Sequence, residues 1–125
     1  MGTASMIGTI GNDGIITASY CHYDGYVEGV GKTLSEFYNS NDAARIVATG
    51  GYLSSLSDNY AVSVRSAVNI EDPVKFNCAE DFISITRMTG TGEYVYLWNG
   101  SEWQVANIAT GVFSFVNVSS CLENN

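Results

Sequence analysis

Positive charge is the scarcest resource in this 125-residue chain. Lys32, Arg45, Arg65, Lys75 and Arg87 are its only cations, set against 13 acidic residues for a formal charge of −8. Scattered so thinly, they cannot make the many phosphate contacts that hold a protein to duplex DNA, and the net field repels a polyanion. No nucleic-acid duplex is expected as a partner. The acids are themselves too sparse to imitate duplex phosphates, which present one charge per ~1.7 Å. A single histidine, His22, and three separated cysteines, Cys21, Cys78 and Cys121, leave little for zinc, which takes three or four converging N or S ligands. No metal or other cofactor is expected. The odd cysteine count, with no basic-then-apolar segment at the N-terminus, points to a reducing cytosol. The sequons Asn99-Gly100-Ser101 and Asn117-Val118-Ser119 then never meet a glycosylation machinery. No apolar run approaches the ~20 residues that span a bilayer, so no membrane partner is expected.

What is present specifies a folded chain. Hydrophobic residues make up 46% and charged residues 14%, too apolar and too weakly charged for disorder. The length suits one domain, residues 1–125, that removes roughly two-thirds of its unfolded surface from water. Ser5–Ile10 and Ile15–Tyr20 read as a β-hairpin around Gly11-Asn12-Asp13-Gly14, whose residues tolerate the left-handed backbone of a tight turn. From Val27 the period changes: Val30, Leu34, Phe37 and Tyr38 form one helical stripe. Turn and capping residues at 39–42 precede a short helix over Ala43–Ala48 that ends at Gly50-Gly51. The 52–59 segment reads as loop, Tyr60–Ser66 and Phe82–Arg87 as strands, and Pro73 marks an irregular connection. Glu93–Trp98 and Trp103–Ala106 flank Asn99-Gly100-Ser101 as a second hairpin. Gly111–Val118 fits either a last strand or a short helix. The expected architecture is α+β: an antiparallel sheet built from hairpins with two short helices packed on one face.

Chemistry concentrates between Tyr20 and Leu34. Gly29-Val30-Gly31-Lys32-Thr33 echoes the end of a phosphate-binding loop, but the first glycine of that pattern would fall at Tyr26, and Gly25 is one residue too early. What survives is a glycine-rich helix start whose N–H groups favour an anion, with Lys32 beside it. Cys21 and His22 are adjacent on an extended strand and point to opposite faces, so they make no nucleophile–base pair. His22 reads as a structural ring, a ring that stacks on a ligand, or a general base; Asp24 and Glu28 read as an acid–base pair or as partners of the helix dipole. Of eight tyrosines and two tryptophans, most of Tyr94, Tyr96, Trp98 and Trp103 are assigned to sheet packing or a subunit interface. Tyr23 and Tyr26, near the glycines, are the candidate stacking platforms for a purine.

The opening Gly2-Thr3-Ala4-Ser5-Met6-Ile7-Gly8, the block from Tyr20 to Leu34 and Gly51-Tyr52-Leu53-Ser54-Ser55-Leu56 resemble a group of small phage proteins. That group has a GT-x-S-x-IG start, a YCH-x-DGY-x-x-GVGKTL centre and a G-x-LSSL segment. Size, acidity and aromatic content are also similar to those of phage anti-defence sponges, the Thoeris or CBASS inhibitors. These sequester signals such as cyclic ADP-ribose derivatives or cyclic dinucleotides. The resemblance implies a homo-oligomer that binds a small nucleotide without cleaving it and is not an enzyme. In that reading, set in the cytosol of a host cell, the purine stacks on Tyr23 or Tyr26, the helix start at Gly29, Gly31 and Thr33 with Lys32 holds the pyrophosphate, and His22 with Arg65 or Arg87 completes the site. Two alternatives stand beside it: an inhibitor that binds a host protein through an acidic, tyrosine-rich face, and a small signalling-nucleotide hydrolase using His22 with Asp24 or Glu28.

Overall fold

A computed structural model of the chain describes residues 3–60, 73–111 and 113–123. Its elements are β1 (Ser5–Ile10), β2 (Ile16–Cys21), a π-helical turn (Val27–Gly31), α1 (Lys32–Phe37), α2 (Asn41–Ala48) and β3 (Tyr52–Leu53). After the gap in the description come β4 (Val74–Phe76), α3 (Ala79–Thr89), β5 (Tyr94–Trp98), β6 (Trp103–Asn107), β7 (Val116–Asn117) and α4 (Val118–Glu123).

Both hairpins form where their turn residues place them. Between β1 and β2, the Gly11 N–H donates to Ile15 O at 2.9 Å and Asp13 Oδ1 accepts from the Ile15 N–H at 3.0 Å. Gly14 supplies the left-handed φ of 81° that a side chain rarely adopts. Between β5 and β6, Asn99 Oδ1 accepts from the Ser101 and Glu102 N–H groups, each at 2.9 Å. The hairpins join through parallel pairing of β1 with β5, and β3 also runs parallel to β2. The sheet is therefore mixed, in the order β3-β2-β1-β5-β6-β7, with β4 antiparallel to β2. This corrects the expected antiparallel sheet; the α+β class holds. Parallel pairing needs a long crossover, and the 83 residues between Ile10 and Tyr94 provide it, counted as 94 − 10 − 1.

Helices cover both faces, not one. Alternation along each strand sends Ile7, Cys21, Tyr96 and Trp98 towards the π turn, α1, α2 and α4, whose Val30, Leu34, Val47 and Val118 complete that core. Met6, Ile16, Ala18, Val95 and Leu97 point the other way, onto Phe82 and Ile83 of α3 and Phe76 of β4. The α3 segment is a second correction, since Phe82–Arg87 reads as a strand from its alternating Ile83 and Ile85. Its buried residues are Phe82, Ile83 and Thr86, a helical spacing, with Glu80 and Asp81 in the first turn and Gly90 at φ 66° ending it. Tyr52–Leu53, read as loop, is a two-residue strand. The ambiguous 111–118 stretch resolves into β7 followed directly by the first residue of α4. The strand expected over Tyr60–Ser66 falls, beyond Tyr60, outside the described residues. No helix among the described residues is long and apolar enough to cross a membrane.

The block from Cys21 to Leu34 is the joint between sheet and helices. Asp24 adopts φ 60°, the left-handed region, and its carbonyl accepts the Val30 N–H at 2.8 Å. Gly25 donates to Thr3 O at 2.7 Å, and a Cβ there would sit 2.9 Å from the Ser5 side chain. The Tyr96 hydroxyl, buried on the central strand pair, donates to Gly25 O at 2.6 Å, while Gly31 lies against the same ring. A Cβ on Gly29 would overlap the Asp24 carbonyl oxygen, a backbone atom that cannot step aside.

Two outcomes follow. Gly29→Ala is expected to lower stability by about 1–3 kcal/mol through overpacking, whereas Gly92→Ala, whose Cβ meets nothing closer than 3.4 Å, stays near wild type in urea denaturation. Equal midpoints for the two variants would refute the close-packed joint. Burial pushes the Cys21 thiol up to about 12, so at pH 8 it stays protonated under its lid. A disulfide exchange reagent is expected to label exposed Cys78 first, half-buried Cys121 next and Cys21 only on unfolding; rapid labelling of Cys21 in the folded protein would contradict this packing.

Candidate functional site

On β2, the residues that do not build the joint build a slot. Strand geometry puts residues two apart on one face, so Tyr20 shares the α3 side of the sheet with His22 while Ser19 and Cys21 point into the opposite layer. The Tyr20 hydroxyl lies 2.8 Å from His22 Nδ1. Burial, reinforced by Tyr52 and then Cys21, raises the Tyr20 phenol above its ordinary value of 10.0, so it is protonated at neutral pH. The bond engages Nδ1 and leaves Nε2, a donor or an acceptor according to the tautomer, as the ring's other polar atom.

The free edge of β2 is divided. β3 pairs with its last residues, Tyr20 with Tyr52 and Cys21 with Leu53, while β4 pairs with Ile16 to Ala18. The β3 end is tied down by backbone bonds: Tyr20 N–H to Gly51 O at 3.0 Å and His22 N–H to Leu53 O at 2.9 Å. Buried Ser19 adds two more, its Oγ donating to Ala48 O and accepting from the Gly51 N–H, each at 2.8 Å. These hold the Tyr52 ring stacked on Tyr20, centroids 5.2 Å apart and planes 30° apart. The resulting cavity, about 500 Å³, has Met6 and Phe76 as apolar walls, and Ile85 and Thr89 of α3 with Thr91 opposite the tyrosines. The Thr89 and Thr91 hydroxyls lie 3.1 Å apart. A volume of this order suits a small organic molecule, and a largely apolar slot with a few polar groups at its rim is the usual form of such a site.

The residues expected to bind a ligand are dispersed around this slot. His22 is part of it. Tyr23 stands edge-on to His22, with ring centroids 4.5 Å apart, but is half-exposed and outside the lining. Tyr26 is also half-exposed, its hydroxyl 3.3 Å from Asp24 Oδ1; that carboxylate, followed by loss of solvent and Glu28, raises its phenol. Gly29 and Gly31 do not form an open anion cradle. The Gly29 N–H donates to Tyr26 O, that of Val30 to Asp24 O and that of Lys32 back into the turn, so the donors a phosphate needs are engaged. Lys32 is exposed and Thr33 half-buried at the start of α1, in the helix layer opposite α3. Arg87, on α3, lies over the Phe113 ring at 4.7 Å and does not line the slot. Arg65 lies outside the described residues. The structure thus separates Lys32 from Arg87 by the thickness of the sheet.

Tyr20 and Tyr52 are the site residues that sequence reasoning missed. Tyr20 was accessible through its i, i+2 relation to His22; Tyr52 becomes informative only through a strand two residues long. A larger, polar cleft of about 620 Å³ lies at the hairpin tips, lined by Thr9, Asn12, Asn41, Arg45 and Trp98 among others. Its amides are largely committed to structure: Asn41 Oδ1 accepts from Trp98 Nε1 at 2.7 Å and Asn99 caps its own turn. Among the described residues no three His, Cys, Asp or Glu side chains gather as a metal-binding group. Comparison with protein-family models, with curated proteins and with solved structures gives no match.

Proposed function

We propose that this chain is a binding protein that takes a planar heteroaromatic group into the Tyr20–Tyr52–His22 slot and holds it without cleaving it. The observation that carries this reading is the stacked tyrosine pair beside a hydrogen-bonded imidazole on an apolar cavity of about 500 Å³. Stacking on an aromatic ring favours any nucleobase and is worth roughly 1–3 kcal/mol per base. His22 Nε2 and the Thr91 hydroxyl supply polar contacts for a base edge. Among the described residues no cation lines the slot, and the −8 field opposes a polyphosphate. The base therefore enters while its sugar and phosphates remain towards solvent. A phage anti-defence sponge for a cyclic ADP-ribose derivative or a cyclic dinucleotide fits this division, since sequestration asks for burial of the base and not for chemistry on the phosphate.

A second reading has its own support. Tyr23 and Tyr26 are 47% and 40% exposed beside Asp24 and Glu28, an aromatic and acidic strip of the kind that docks on a basic protein surface. That strip would serve an inhibitor of a host protein.

Isothermal titration with adenosine, a cyclic dinucleotide and a cyclic ADP-ribose derivative separates these readings. Binding is expected for a base-bearing ligand, recovered intact on denaturation, and Tyr52→Ala is expected to weaken it about tenfold, in line with the loss of one stacking face. Lys32→Ala leaves it unchanged. Binding lost in Lys32→Ala but retained in Tyr52→Ala would move the ligand to the α1 side, and no binding of any of the three would remove the nucleotide reading.

A further inference from the structure

The outer face of α3 carries a charge pattern that is complementary to itself. Glu80, Ser84 and Arg87 follow at i, i+4 and i+7 and share one exposed stripe; Met88, 82% exposed, lies beside it. Phe113, 46% exposed, flanks the stripe and rests on the Arg87 guanidinium, and it borders a groove of about 340 Å³ with Glu80, Ser84 and Arg87. Among the described residues the salt bridge present is that of Arg45 with Asp42, at 3.9 Å; neither Glu80 nor Arg87 is engaged in one.

We propose that this stripe is the contact through which a second copy of the chain binds, α3 against α3 in antiparallel fashion about a two-fold axis near Ser84. A two-fold axis perpendicular to both helices keeps the same flank of each on the same side, so Glu80 of one copy faces Arg87 of the other, twice per interface. The acid in the first turn and the base in the last already complement the helix dipole; across the axis the same placement pairs the copies. Ser84, small and central, lets the helices approach, while Met88 and Phe113 supply apolar surface to bury. Charge decides the occupant. Two chains of net charge −8 repel over most of their surfaces, and this stripe is one where each copy offers a positive group to the other's negative one. An eleven-residue helix is about 16 Å long, so the contact is small and the dimer is a weak one. Ile85 and Thr89, which line the tyrosine slot, lie on the opposite flank of α3, so dimerisation leaves the slot open.

Sedimentation equilibrium of the full chain tests this, with thermal unfolding as a check that each variant is folded. Wild type is expected to pass from the 13.4 kDa monomer to twice that mass as concentration rises into the range of about 100 μM. Arg87→Glu and Glu80→Arg, alone, each place like charges opposite one another and raise the dissociation constant about tenfold or more. Mixed in equal amounts, the two variants become complementary at both contacts and recover the mass of a dimer. A wild type that stays monomeric to about 1 mM, a dimer unaffected by either substitution, or a mixture no more associated than its parts would each overturn the proposal.

Discussion

The buried Tyr96 hydroxyl donates to the Gly25 carbonyl at 2.6 Å, across 71 residues of sequence, and ties the second hairpin to the joint between sheet and helices. Tyr96 stands on β5, whose parallel pairing to β1 is the seam between the hairpins, and Gly25 is the turn by which the chain leaves the sheet for its helices. The bond is possible only because nothing intervenes. Gly25 has no Cβ to strike Ser5, Gly31 has none to displace the Tyr96 ring, and Gly29 has none to collide with Asp24. Removal from water raises the Tyr96 phenol well above its usual value, so the donor keeps its proton throughout the neutral range. A buried hydroxyl and carbonyl that satisfy each other avoid the 1–3 kcal/mol that either would cost alone.

That constraint changes the meaning of the most conspicuous motif. A Gly-x-Gly-Lys-Thr run invites a phosphate, because glycine is where a backbone approaches an anion. Glycine is equally where backbone approaches backbone. Here the N–H groups of Gly29 and Val30 are used by Tyr26 and Asp24, and the two glycines are selected by Asp24 and Tyr96. In this block the glycines seat a π turn on the sheet.

Much of the fold was legible and the reasons are local. The hairpins announce themselves through Gly14 and Gly100, which sit at φ 81° and 100°, and α2 through Ser40, whose Oγ accepts the Ala43 N–H at 3.2 Å. α3 was misread because Phe82-Ile83-Ser84-Ile85-Thr86 satisfies a two-residue period by composition; the burial of Phe82, Ile83 and Thr86 against β-strands, which tertiary packing alone dictates, selects the helix. Strand direction was out of reach for a related reason. Nothing in β1 or β5 taken singly says that they run parallel; only the crossover between them does. The site was half legible. His22 stands out as the lone histidine, whereas Tyr52 gains its role from a two-residue pairing with β2 that no pattern in 52–59 encodes.

The division of labour along β2 shows how so short a chain accommodates both a tight joint and an apolar slot. Ser19 and Cys21 turn inward, where Ser19 anchors the end of α2 and Cys21 fills the core under the π turn. Tyr20 and His22 turn outward and line the cavity. The pleat keeps these duties on opposite faces, so a substitution at Tyr20 meets the α3 layer and one at Cys21 meets the core under the π turn. The edge pairing with β3 then couples them. Ser19 fixes Gly51, Gly51 fixes Tyr52, and the stacking distance between the tyrosines is set by residues that never touch the slot. An edge tied down in this way presents its aromatic faces already in place, which would spare the proposed site the cost of ordering them.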